Sequence, residues 1–151
     1  MRRRPPMGTT ASAALLTALL AFVCTPSPAG AQEGVYRYLG VKWCQGCHSR
    51  RSPNPKMRVF HSWEGSAHAR AWERLPEKDR DNPACLRCHS TGYGLPHRPD
   101  VADEDLRGVQ CEACHGPGRH YFTWNVMKDR ETSLARGMVL PTREVCARCH
   151  W

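Results

Sequence analysis

The 151-residue chain has little from which to build an ordinary hydrophobic core. Aromatic residues make up 8% of it, while 12 glycines and 12 prolines interrupt it, so small exported domains of this kind lean on staples or cofactors. No stretch alternates apolar and polar residues in the manner of a strand. No repeat of fixed period runs through it, which argues against a solenoid. The apolar run from Ala11 to Val23 is shorter than the roughly 20 residues of a membrane-spanning helix. No cluster of residues suited to proton delivery stands out.

What is present begins with an export signal. Arg2, Arg3 and Arg4 precede the apolar run, and a Pro/Ser-rich stretch then leads to Ala29-Gly30-Ala31. These are the charged, apolar and small-residue parts of a secretory leader, expected over residues 1–31 with cleavage after Ala31. Cys24 could suggest a lipoprotein, but Val23 before it is too bulky for that cleavage. The mature part, 32–151, then forms one domain with no stable membrane span, and the expected location is the periplasm. Removing Cys24 from nine cysteines leaves eight, and removing three arginines from a formal charge of +8 leaves +5. A modest basic excess suits nucleic acid in some proteins. An exported chain meets little of it, and Tyr93, Tyr121, Phe122 and Trp124 are expected to pack on a cofactor rather than on bases.

All eight remaining cysteines fall into four C-x-x-C pairs, each followed by histidine. They are Cys44 and Cys47 with His48, Cys85 and Cys88 with His89, Cys111 and Cys114 with His115, and Cys146 and Cys149 with His150. C-x-x-C-H is the attachment signature of c-type haem. Two thiols bond the two vinyl groups on one porphyrin edge, and the next side chain is carried under the ring to ligate the iron. Zinc or disulfides would use the cysteines equally well, but neither needs the histidine. The expected cofactors are four covalently attached haems, whose propionates offset much of the arginine excess.

His61, His68, His97 and His120 remain as candidate distal iron ligands, one for each haem. His68 lies in "SWEGSAHARAWERL", where Ser66 suits a helix cap and His68, Ala71, Trp72 and Leu75 share a face. His61 precedes it by seven residues and could cap a neighbouring iron. His97 sits in a turn-rich loop, "TGYGLPHRPD". His120 follows the Gly116-Pro117-Gly118 turn too closely to swing over the haem of His115, so it is expected to serve a different one. Met57, Met127 and Met138 are the alternative distal ligands.

These residues resemble the cytochrome c-554 family, exported tetrahaem carriers associated with hydroxylamine oxidation. The resemblance runs from about Gly40 to the end of the chain. It is carried by "SWEGSAHARAWERL", "CLRCHSTGYG", "LRGVQCEACHGPGR" and "EVCARCH". It implies a mostly helical fold with long irregular loops wrapped around closely packed haems, and periplasmic electron transfer. It also implies that His68 caps the haem on His115, that His120 serves the first haem, and that the haem on His89 has an open face. Two departures stand out. The stretch from Thr132 to Val145 contains no histidine where the family has one, and the chain stops at Trp151 where the family continues. It is therefore either a minimal version or a fragment.

Helices are expected at Ser66–Leu75, at Asp103–Gln110 into the third motif, near Asp129–Arg136 with Gly137 as the stop, and from Thr142 into the fourth motif. Asn82-Pro83 reads as the cap and first residue of a turn into Cys85. The expected function is electron transfer between redox partner proteins, without catalysis of its own. The alternatives are a reductase or oxidase of a small nitrogen compound at a five-coordinate haem, and a docking subunit of a larger multihaem complex.

Overall fold

The computed structural model describes residues 36–150; the expected leader and Trp151 lie outside the described residues. The chain is mostly helical, with long loops and isolated bridges in place of strands among the described residues. Its helices are α1 (Val41–His48), α2 (Phe60–Glu64), α3 (Pro83–His89), α4 (Cys111–His115), α5 (Trp124–Met127), α6 (Arg130–Ala135) and α7 (Arg143–Cys146). Single 3-10 turns occur at Pro55–Met57, Glu77–Asp79, Asp103–Leu106 and Gly118–His120.

The helix boundaries follow local chemistry where it is strong. Asn82 caps α3, its side chain accepting the Ala84 N–H, and Pro83 occupies the first turn where its missing N–H costs nothing. Asp129 caps α6 by accepting the Thr132 N–H. That helix stops at Gly137, whose φ of 95° lets Met138 N–H reach back to Ser133 O and Gly137 N–H to Leu134 O.

Two expected helices are broken by tertiary contacts. Residues 66–75 form a run of turns instead of one helix, although Ser66 Oγ does accept the Ala69 N–H at 3.3 Å. The carbonyls of this run are drawn outward. His68 O accepts the N–H of Val109 at 2.9 Å, and Ala71 O accepts a hydrogen bond from the His89 ring at 2.6 Å. The helix forms earlier, as α2, and is tied to the same segment by Trp63 Nε1–H donating to Val109 O at 2.8 Å. The second expected helix holds only at Asp103–Leu106. Gly108, at φ 82°, then turns the backbone against Ala69 O, so close that an added Cβ would lie 2.5 Å from that oxygen.

Among the described residues the buried apolar ones are few: Leu39, Phe60, Ala71, Leu75, Leu86, Val101, Leu106, Tyr121 and Val126. Polar groups extend this core. Thr91, fully buried, donates from its hydroxyl to Gly108 O at 2.8 Å and accepts the Gln110 N–H at 2.8 Å. The second and third motifs are thereby joined just outside their helices.

The close approach at Gly108 gives a test. Gly108→Ala should lower stability by about 2–4 kcal/mol, combining the left-handed backbone cost with a backbone clash. Gly65→Ala, at φ −76° with its nearest contact at 3.6 Å, should stay within about 1 kcal/mol of the parent. Denaturant unfolding midpoints of the two variants make the comparison.

Candidate functional site

Three of the four cysteine motifs lie wholly on helices: α1 carries Cys44, Cys47 and His48, α3 carries Cys85, Cys88 and His89, and α4 carries Cys111, Cys114 and His115. In the fourth, α7 ends at Cys146, but the turn continues, with Cys149 N–H and His150 N–H both donating to Cys146 O. Helical spacing of three and four residues keeps the two thiols and the imidazole on one side. None of the eight cysteines is in a disulfide. A zinc site needs several of these groups to converge; no three His, Cys, Asp or Glu do so among the described residues.

Main-chain carbonyls fix the imidazoles. His48 Nδ1 lies 3.2 Å from Met57 O, His89 Nδ1 2.6 Å from Ala71 O, and His115 Nδ1 3.0 Å from Val139 O. Val139 N–H donates back to His115 O at 2.8 Å, so that residue is clamped at ring and backbone. A carbonyl bonded to Nδ1 places the proton there and leaves Nε2 as the donor to a metal. The fourth imidazole, His150, meets the ring of His68, with centroids 5.8 Å apart at 68°.

Thiols of different motifs come together. Cys44 and Cys111 hydrogen-bond to each other, which pushes the Cys44 thiol far up and pulls Cys111 down. Burial, then the neighbouring Cys146 and Cys111 thiols, raise Cys114. Burial and the Cys88 thiol push Cys149 up to about 11, and Cys88 Sγ also lies 3.9 Å from Arg148 O. The first and third motifs thus meet at Cys44 and Cys111, and the second and fourth at Cys88 and Cys149.

Two residues that sequence reasoning passed over hold the first and third motifs side by side. Glu112, between Cys111 and Cys114, is 3% exposed. Its carboxylate accepts the N–H groups of Leu39 (3.0 and 3.1 Å), Gly40 (2.8 Å) and Gly118 (2.6 Å). Burial pushes its carboxyl above the usual range, and the three N–H donors pull it back. Gln110 Oε1 accepts the next N–H, that of Val41, at 2.7 Å, while its amide donates to Asp105 O and Arg107 O. The signal for Glu112 was present: it is the only carboxylate at the eight interior positions of the four motifs.

The other candidates are dispersed. His120 ends the 3-10 turn after Gly116-Pro117-Gly118 and packs edge-on against Tyr36, at 5.4 Å, while its neighbour Arg119 donates its N–H to Arg37 O. His61 is exposed on α2, with Nδ1 3.0 Å from Arg58 O. Both ring nitrogens of His97 are engaged, Nδ1 with Arg98 O at 3.0 Å and Nε2 with Asp103 at 3.3 Å. The resemblance puts His68 over the third motif; the ring it meets here belongs to the fourth. Tyr121, expected to pack on a cofactor, is a core residue whose hydroxyl donates to His115 O and Gly116 O. Trp72 lies between the guanidinium groups of Arg107 (4.0 Å) and Arg80 (4.9 Å).

A family model described as cytochrome c554 and c-prime matches residues 43–116, from Trp43 before the first motif to Gly116 after the third. The chain resembles the cytochrome c-554 family in sequence and in fold. It is similar to cytochrome c-554 of Nitrosomonas europaea, with 29% identity over 140 positions covering 74% of this chain and 56% of that protein. An uncharacterized protein of Archaeoglobus fulgidus is 29% identical over 87 positions, covering 44% of this chain and 29% of the other. The solved structure of the reduced state of the Nitrosomonas cytochrome superposes with a TM-score of 0.60 at 25% identity, covering 77% of this chain and 66% of that one. The chain therefore spans little more than half the length of that curated relative. The family resemblance and the helical, loop-rich fold that it implies are borne out.

Likeness to this family implies covalently bound c-type haem. The residues fit it: the thiols are not in disulfides, their helical spacing matches the motif, and three imidazoles are oriented by Nδ1.

Gln110 offers a direct check on how the motifs are joined. Gln110→Leu leaves the Val41 N–H and two carbonyls without their partners and should cost about 1–3 kcal/mol. A lower denaturant midpoint at unchanged slope is expected; an unchanged midpoint would show that the junction does not depend on this amide.

Proposed function

We propose that the chain is an exported tetrahaem c-type cytochrome that relays electrons between redox partner proteins in the periplasm. In this reading residues 1–31 are removed and 32–151 form the haem domain. The observation that carries it is the set of carbonyl anchors on His48, His89 and His115, which leave the Nε2 of three motif imidazoles for an iron.

Each pair Cys44 and Cys47, Cys85 and Cys88, Cys111 and Cys114, and Cys146 and Cys149 would hold one haem by thioethers. His48, His89, His115 and His150 would be the proximal ligands. Bound haem supplies a one-electron ferric–ferrous couple whose potential depends on axial ligand, burial and nearby charge. The protein's own task is spacing and orientation. The pairing of Cys44 with Cys111 and of Cys88 with Cys149, with Cys114 in the field of Cys146, supports a relay in the order first, third, fourth, second.

His68 is assigned to the haem on His150. With metal–imidazole bonds of about 2 Å, two rings on opposite sides of one iron have centroids roughly 6 Å apart, close to the 5.8 Å observed. His120, carried toward the segment preceding α1, is assigned to the first haem. His61 keeps a nitrogen for a metal, whereas His97 has both nitrogens engaged and is left out of the set.

A second reading is favoured by one observation. A cleft lined by Trp72, Arg80, Leu86, Thr91, Tyr93 and Arg107 opens beside α3, the helix that carries His89. Turnover of a small nitrogen compound at an open haem there would use that access. High-spin electron paramagnetic resonance in the resting protein, with nitric oxide or carbon monoxide binding, would support it. Solely low-spin haem would remove it.

The leading reading makes two measurable claims. Pyridine haemochrome absorbance and intact mass should each count four haems on the mature chain, with no thiol left to react; a colourless product would end the proposal. His68→Ala should convert one low-spin haem to high spin. In a Cys146→Ala/Cys149→Ala background, which lacks the fourth haem, the same change should alter no remaining haem signal. A change there would assign His68 to another iron.

A further inference from the structure

Glu112 does more than the haem reading requires. The other interior motif positions hold Gln45, Gly46, Leu86, Arg87, Ala113, Ala147 and Arg148, none of them acidic. A carboxylate beside a thioether is therefore not part of attachment itself.

Its hydrogen bonds favour the anion, against burial, which pushes the carboxyl up. Oε1 receives the N–H groups of Leu39 and Gly118, and Oε2 those of Leu39 and Gly40. A proton on either oxygen would point at a donor, so the hydrogen-bond geometry selects the charged form. The ion pairs among the described residues do not include Glu112. Its charge is dispersed over backbone dipoles without a neutralising side chain, and it is buried, where screening by solvent and salt is weak.

The charge lies between two attachment points. Cys111 is its chain neighbour, and Cys44, hydrogen-bonded to Cys111, feels its field as well. The phenols of Tyr38 and Tyr121 lie within its field, and both are pushed up by burial first and by this carboxylate second.

We propose that Glu112 is a potential-setting residue, whose buried negative charge favours the ferric state of the two haems carried by the first and third motifs. Reduction removes a positive charge from the iron, so a fixed anion nearby stabilises the oxidised form more than the reduced form. The second and fourth motifs contain no such group, and the relay is thereby divided into a lower-potential and a higher-potential pair. Glu112 acts through the field at the ring edge; it is a positioning residue, not a catalytic one.

This inference rests on the haem reading above, and the experiment separates the two. The haem count of the purified holoprotein comes first: fewer than four haems counts against that reading alone. With four present, Glu112→Gln is followed by spectropotentiometric titration with paramagnetic resonance detection. Two haems should become easier to reduce by about tenfold in equilibrium constant, which is about 59 mV for one electron, and the other two should hold their potentials. Four unchanged potentials, or four equal shifts, would overturn the proposal, since loosening of the fold alone does not single out two haems. If the variant does not accumulate, redox-difference infrared spectra of the parent protein with carbon-13 glutamate decide. An ionised carboxylate that responds to reduction supports the proposal. A protonated one, or no response, overturns it.

Discussion

The Glu112 carboxylate takes three backbone N–H groups that lie far apart in sequence, from Leu39 and Gly40 before α1 and from Gly118 after the Gly-Pro turn. Gln110 takes the next N–H, that of Val41. The orphan donors at the start of α1 are thus satisfied by α4 and the residue before it, and not by any cap of their own. Burying a carboxylate is expensive, and only charge-assisted bonds of this number offset the cost. Once they form, the first motif cannot shift without unpairing a buried charge. Cys44 then lies against Cys111, while Cys88 and Cys149 join the second and fourth motifs.

A second use of the backbone complements the first. The chain buries few apolar side chains, so its imidazoles are oriented by carbonyls rather than by packing. Ala71 O and Val139 O serve His89 and His115 from segments outside any helix. A carbonyl inside a regular helix is already committed to its own ladder. The irregularity of residues 66–75 and 137–142 therefore serves the imidazoles: loops supply acceptors that helices would consume.

Much of the site was legible because its chemistry is local. Thioether spacing and the following histidine occupy five consecutive residues, and any backbone that makes one helical turn presents them together. The caps at Asn82 and Asp129 and the stop at Gly137 were legible for the same reason. The continuous helix expected at Ser66–Leu75 failed because its pattern could not reveal that Val109 and His89 would claim the carbonyls of His68 and Ala71. Tyr121 looked like a cofactor-packing ring, and only the fold shows its hydroxyl turned to His115 O and Gly116 O inside the core.

By itself, then, the sequence determined the motifs, the likeness to a multihaem family and the helix signals, since each depends on residues within about one turn of one another. Tertiary structure alone decided which motifs are neighbours, that His68 meets His150, that both nitrogens of His97 are engaged, and that one glutamate would be buried among backbone donors. Those facts depend on contacts between residues tens of positions apart. Their energies come from burial and from pairing donors across the chain, and no local pattern records them.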